Sequence, residues 1–193
     1  MKASKAPDNV DVAHFAAIPW CARLLNGGGE GKRMVMSTPS WRIPRPDGAH
    51  GFFAETLNTA GTITHMLEVY AEPSCRGERV DAYKALLTLG GAGVSGHKGV
   101  CHGGFVTAVL DEAVGLFIPI NLGRGSIPKG TYMTAYLNTT FLRPVPASGT
   151  ILVRSRITRV EGRKYYTEGE IVDETGEVLT RAEALFIQRR SAL

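Results

Sequence analysis

Cysteine is scarce in this chain. Cys21, Cys75 and Cys101 are three among 193 residues, an odd number without paired spacing. That excludes a disulfide scaffold and fits a reducing compartment. Long apolar runs are missing as well. No stretch approaches the roughly 18 apolar residues of a membrane span. The opening Met1-Lys2-Ala3-Ser4-Lys5-Ala6-Pro7-Asp8 lacks the apolar core of a secretory signal. A cytoplasmic location is therefore expected, with organelle targeting left open by the two lysines. Charge of one sign is not in excess. A net charge of +4 permits phosphorylated or acidic ligands. The basic residues are scattered, however, and no aromatic-basic motif of an RNA-binding sheet occurs, so nucleic acid is not an expected partner. Gly90, Gly91, Gly93 and Gly96 are followed by neither a phosphate loop nor a dinucleotide fingerprint. Gly93-Val94-Ser95-Gly96 lacks the spacing of a serine nucleophile elbow. His97 and His102 have no cysteine or acid at ligand spacing, so neither a metal nor a cofactor is expected.

What is present is concentrated in one segment. Cys101-His102-Gly103-Gly104 opens a run in which Val106, Val109, Leu110, Ala113, Val114 and Phe117 recur at helical spacing. Asp111-Glu112 sits inside that run. A carboxylate on an apolar helix is expensive unless it is paired or used. The helix start offers free amide donors and the positive end of the dipole, which suit a carbonyl oxygen about to become negative. Gly103 and Asp111 are eight residues apart, about 12 Å along a helix axis. A two-fold dimer, with Asp111 of one copy facing Gly103 of the other, would bring them together. Plainer readings stand beside these. Asp111 could bond Thr107 one turn back, His102 could cap the helix, and Gly103 and Gly104 could serve close packing.

The rest of the chain supplies the scaffold. Asp8 or Asn9 can cap a helix bearing Val10, Val12, Phe15, Ile18, Cys21, Leu24 and Leu25, which Pro19 should kink or split and Gly27-Gly28-Gly29 should end. The Pro- and Gly-rich stretch to residue 50 reads as a wrap in which Trp41 and Ile43 need burial, with a short strand at Met34–Met36. Residues 62–70 fit helix or strand by pattern. Pro119 should stop the central helix, leaving 120–130 as loop. Residues 132–142 alternate Met133, Ala135, Leu137, Thr139 and Phe141 against Thr134, Tyr136, Asn138 and Thr140, as in a half-buried strand. Three more strands follow, turned at Glu161-Gly162 and Glu174-Thr175-Gly176, and read as an antiparallel meander. The fold class is α+β, a curved antiparallel sheet round one long helix. Residues 1–50 form an N-terminal helical or irregular extension and 51–193 the main domain.

Further polar residues qualify as ligand contacts. Thr134 could orient a water beside a carboxylate, although a surface strand threonine is commoner. Lys129 and Arg143 could meet ligand phosphates. Cys101 beside His102 reads as a buried structural cysteine rather than a nucleophile.

The segment from Gly96 through Cys101-His102-Gly103-Gly104 to Asp111-Glu112 resembles the signature of hotdog-fold acyl-CoA thioesterases. The resemblance is to the phenylacetate-type and thioesterase-superfamily-member-4-like group. Tyr132-Met133-Thr134 through Arg143-Pro144-Val145-Pro146, Gly162-Arg163-Lys164 and Glu170–Phe186 are similar to that group too. Ile18-Pro19-Trp20-Cys21 looks like fungal-type members. The resemblance implies a hotdog fold with strands at 62–70 and 82–89, a homodimer or dimer of dimers, and hydrolysis of an acyl-CoA or carrier-protein thioester. By position, the Gly103 amide would polarise the thioester carbonyl. Asp111 would activate water or attack directly. Thr134 would hold the water, and His102 would shape the turn. Gly104, Ser95, His97, Glu112, Lys129 and Arg143 are the expected substrate contacts. Gly96 stands where many relatives carry a helpful amide side chain. That departure keeps a lyase or cyclase on the same fold in view, and a non-catalytic acyl binder is the third reading.

Overall fold

The computed structural model describes residues 9–27, 33–75 and 77–190. Asn9 accepts a hydrogen bond from the Asp11 amide and so caps helix α1 (Val10–Ala16). Pro19 is the first residue of a second helix, α2 (Pro19–Asn26). The single periodic pattern is thus split at the one helical position where a missing N–H costs nothing. Gly27 is the C-cap. Gly28 and Gly29, and residues 1–8 at the start, lie outside the described residues.

After strand β1 (Met34–Ser37), a 3₁₀ turn at Ser40–Arg42 buries Trp41 at 3% exposure and leaves Ile43 57% exposed. The expectation that Ile43 needs burial is therefore wrong. The turn directs Trp41 and Arg42 inward and Ile43 out, and one exposed aliphatic side chain is an ordinary surface feature. Phe52–Thr56 forms a single π-helical turn. Strands β2 (Ile63–Ala71) and β3 (Ala82–Gly90) come next, which settles the ambiguous residues 62–70 as strand. Short strands β4 (Ser95–His97) and β5 (Val100–Cys101) make a separate hairpin.

Helix α3 spans Gly103–Gly115 and α4 spans Phe117–Arg124. Pro119 does not stop the helix. It occupies the third position of α4, in the first turn, where amides have no intrahelical acceptor. Helix therefore replaces loop as far as Arg124, and Gly125 ends it in the left-handed conformation at φ 68°. Gly103–Arg124 together are long and apolar enough to cross a membrane by length and composition, with half of the most apolar stretch buried inside the protein. This amends the reading that no segment qualifies. The run is the core helix, and it carries Asp111 and Glu112 midway.

Strands β6 (Tyr132–Phe141), β7 (Ser148–Glu161), β8 (Lys164–Val172) and β9 (Val178–Gln188) complete a seven-stranded antiparallel sheet in the order β1-β2-β3-β7-β8-β9-β6. β7, β8 and β9 are a meander turned on Gly162 and Gly176, both at positive φ. β6 is not part of it. It pairs with β9 at the sheet edge, because the connection after β6 is tied elsewhere. Val145 O accepts from Cys101 N at 2.9 Å, and Ala147 N donates to Gly99 O at 3.0 Å. The chain therefore crosses the sheet beside the start of α3 before it re-enters as β7.

One face of the sheet wraps α3. Val106, Val109, Leu110 and Ala113 pack with Met66, Leu87, Ile151, Val153 and Ile171. The opposite face is covered in part by α1 and α2, through Phe15, Cys21 and Leu25 against Leu67, Val69, Leu86 and Leu152. The result is the expected α+β architecture of a long helix held in a curved sheet. Gly169 on β8 fixes how closely the helix sits, since a Cβ there would lie 2.6 Å from Val114 Cγ1. Val114 is fully buried and cannot yield. Gly169→Ala is expected to destabilise the fold by about 1–3 kcal/mol through overpacking, measured by urea unfolding.

Candidate active site

His102 ends β5 and caps α3. Its extended backbone (φ −64°, ψ 134°) directs Nδ1 to accept from the Gly104 amide at 3.0 Å. A Cβ on Gly104 would stand 3.0 Å from that nitrogen, so the second glycine makes room for the cap. The Gly103 amide is the first of the helix and has no intrahelical acceptor; the residue is exposed. Gly96 packs on the same histidine, where a Cβ would come within 2.8 Å of His102 Cα. No side chain fits there. The absent amide at position 96 is thus a steric consequence of how the β4–β5 hairpin meets the helix start. Ser95 Oγ donates to Gly91 O at 2.9 Å and serves that turn, and His97 is exposed on β4. Cys101 is buried, its thiol pushed up to about 11 by that burial, and its Sγ donates to Pro146 O at 3.4 Å. That is a structural cysteine.

A cavity of about 410 Å³ opens beside the helix start, lined by Gly103, Val106, Phe141 and Arg143 among others. The Arg143 guanidinium there is already paired, Nε to Glu177 Oε1 at 2.6 Å. Lys129 lies in the loop at the far end of β6, away from Phe141 and Gly103. Its carbonyl accepts from Gln188 Nε2 at 2.9 Å, and its side chain is exposed.

Two turns along α3, Asp111 is half-buried and accepts from Thr134 Oγ1 at 3.2 Å. This partner comes from β6 rather than from Thr107. Strict alternation placed Thr134 opposite Leu137 and Phe141. A bulge between Thr134 and Tyr136 inserts one residue and resets the alternation. Thr134 then meets Asp111, Leu137 joins the core, and the Phe141 ring lies over Gly103, all toward α3. The strand is also more exposed than half-buried, with Met133 at 55% and Phe141 at 53%, because it is a sheet edge.

Glu112 faces a second cavity, of about 370 Å³, lined by Trp41, His50, Phe52, Phe53, Ala108, Asp111 and Glu112. Burial, reinforced by the neighbouring Asp111 charge, raises its carboxyl to about 7. The aromatic walls were not anticipated from sequence. Their one signal was Trp41 and the Phe52-Phe53 pair, dense aromatics in a stretch otherwise rich in proline and glycine. Within one chain Asp111 and Gly103 stay about two turns apart, roughly 12 Å, beyond what one small reacting group spans.

Residues 98–180 match the family model described as thioesterase superfamily. That segment is similar to the thioesterase superfamily, and the long helix held in a curved antiparallel sheet is the hotdog fold. It is 32% identical over 112 residues to mouse (Mus musculus) acyl-coenzyme A thioesterase THEM4, covering 57% of this chain and 45% of that protein. It is 27% identical over 180 residues to verlamelin biosynthesis protein B of Lecanicillium, covering 75% and 78% respectively. The chain spans about half the length, or less, of the THEM4 relatives it matches. A solved Mycobacterium tuberculosis protein, described as a candidate esterase, shares the fold at a TM-score of 0.50 and 20% identity, over 58% of this chain and 87% of that one.

A carboxyl whose folded pKa lies above its unfolded value favours folding while protonated. That contribution is lost as pH rises through its folded pKa of about 7. The wild-type thermal midpoint is therefore expected to fall between about pH 5 and about pH 8 by more than that of Glu112→Gln, as calorimetry at the two values would show.

Proposed function

We propose that this chain hydrolyses acyl thioesters of coenzyme A or of a carrier-protein phosphopantetheine arm. The observation that carries the reading is a half-buried Asp111 held by Thr134, on a helix whose first amide, at Gly103, has no intrahelical acceptor. The THEM4 relatives, named as acyl-coenzyme A thioesterases, support the same class. In this scheme the Gly103 N–H donates a hydrogen bond to the thioester oxygen as negative charge grows there. The Asp111 carboxylate takes a proton from water as the water oxygen bonds the carbonyl carbon. Collapse breaks the C–S bond, and the thiolate recovers the proton. Direct attack by Asp111, with a mixed anhydride hydrolysed afterwards, balances equally well and also needs the ionised carboxylate. Residues 51–193 form the catalytic domain in this reading, and 1–50 an extension packed on it.

The active unit is a homodimer. Four large exposed apolar side chains, Met133, Tyr136, Phe141 and Leu142, lie on or just beyond β6, one of the two edge strands of the sheet. Away from α1 and α2 the outer sheet face carries ion pairs, with Glu170 between Arg154 and Arg181 and with Arg156 beside Glu168. Among the described residues it exposes no comparable set of large apolar side chains. Pairing of two β6 edges buries the apolar set and extends the sheet. It also sets Asp111 near the Gly103 amide of the partner subunit, which removes the separation along one helix.

Thiol release from a panel of acyl-CoAs tests the chemistry. Asp111→Asn is expected to lower kcat at least about 100-fold and Thr134→Val about tenfold, with free acid formed in step with thiol. Loss of water or ring closure in the product would instead mark a lyase or cyclase, and full activity in Asp111→Asn would remove this mechanism. Light scattering is expected to report a dimer. Tyr136→Lys, which sets like charges together at the paired edge, is expected to shift it toward monomer with turnover falling in parallel.

A further inference from the structure

We propose that the cavity between helix α3 and residues 41–53 holds the acyl group of the thioester, and that its aromatic wall selects compact apolar acyl groups, short to medium chains or a single ring. This rests on the hydrolase reading, which it extends from reaction to substrate class. The cavity is continuous with the chemistry, since Asp111 lines it. Its walls are three rings in edge-to-face order. Trp41 and Phe53 lie 4.7 Å apart at 76°, and Phe52 and Phe53 lie 5.2 Å apart at 84°. Ala108, a small residue on α3, also lines it and leaves the space open. About 370 Å³ is near the lower end of the roughly 300–1,000 Å³ found for ligand sites. An extended long-chain acyl group would have to leave it.

The wall is built rather than incidental. Arg42 is 6% exposed, and all four of its recorded acceptors are neutral oxygens. Nη1 donates to Phe53 O at 3.3 Å and Leu57 O at 3.1 Å. Nη2 donates to Asn58 Oδ1 at 2.6 Å and Ile63 O at 3.0 Å. The Phe53, Leu57 and Asn58 oxygens lie on or just after the π-helical turn that carries Phe52 and Phe53, and Ile63 opens β2. Burying a cation is expensive without such satisfaction; here it pins the turn to β2. At the other end His50, the one non-glycine residue at positive φ (69°) among the described residues, accepts from the Phe53 and Ala54 amides at 3.1 and 2.8 Å. A strained conformation of this kind persists where its surroundings fix it. Phe52 is nevertheless 54% exposed, an aromatic ring presented to the cavity that the core does not need.

The test uses two readouts. In a Trp20→Phe background Trp41 is the sole tryptophan. The thioether S-octyl-coenzyme A, which cannot be hydrolysed, is titrated against its fluorescence, with S-benzyl-coenzyme A as the ring arm and coenzyme A as control. The expected result is a saturable change with the alkyl or benzyl compound that coenzyme A does not produce, its Kd weakened about three- to tenfold by Phe52→Ala and further by Ala108→Leu, which fills the cavity. The larger response of the two arms tells chain from ring. In the second readout, the ratio of kcat/KM for octanoyl-CoA to that for acetyl-CoA is expected to fall in both variants. Thioester hydrolysis with that ratio unchanged in both would overturn the cavity assignment and leave the hydrolase reading standing. A saturable Trp41 response without turnover of any thioester would do the reverse.

Discussion

The structure depends on an acid carried through an apolar interior on a helix the sheet closes around. Asp111 and Glu112 sit in the second half of α3, and neither has a cation partner among the described ion pairs. The sheet tolerates them by leaving space on that side of the helix. One flank is the edge strand β6, which presents Thr134. The other is the aromatic cavity, toward which Glu112 turns. The two carboxyls thus divide the polar and apolar sides of one helix position, and their different surroundings follow from the turn of about 100° between adjacent helical residues.

Much of this architecture was legible in the sequence, and the reasons differ by element. The β7–β9 strands were plain because hairpins turned on Gly162 and Gly176 state their registers locally. The central helix was plain because its apolar spacing is regular over Val106–Phe117. Pro119 misled because proline breaks a helix interior but not a first turn, and nothing local announces that α4 begins at Phe117. The β6 strand was found, but its facing was not. A bulge changes which residues share a side without changing composition, so Thr134 and Leu137 looked opposed. Its pairing with β9 instead of β7 is a long-range matter, settled by backbone bonds between the Pro144–Ala147 crossing and the β4–β5 hairpin.

The site divides the same way. His102, Gly103, Gly104 and Asp111 lie in one short segment, the cap and body of one helix, so spacing marks them as candidates, while the roles expected of them come from the family resemblance. The cavity walls come from residues 41–53, whose position over α3 is set by Arg42 reaching four oxygens spread from Asn58 to Phe53 and Ile63. No periodic pattern records such an arrangement. The absence of an amide at position 96 was visible, but its cause, contact with His102 Cα, is a property of the folded hairpin.

The histidine cap has a chemical consequence of its own. With Nδ1 committed to the Gly104 amide, the neutral ring carries its proton on Nε2. Taking up a second proton would break the bond that shapes the helix start. The imidazole can orient a ligand by donating outward, yet it is poorly suited to remove a proton from water. In the hydrolase proposed above, deprotonation would then fall to a carboxylate, and the histidine would keep the turn in the form that leaves a backbone amide free to polarise the thioester.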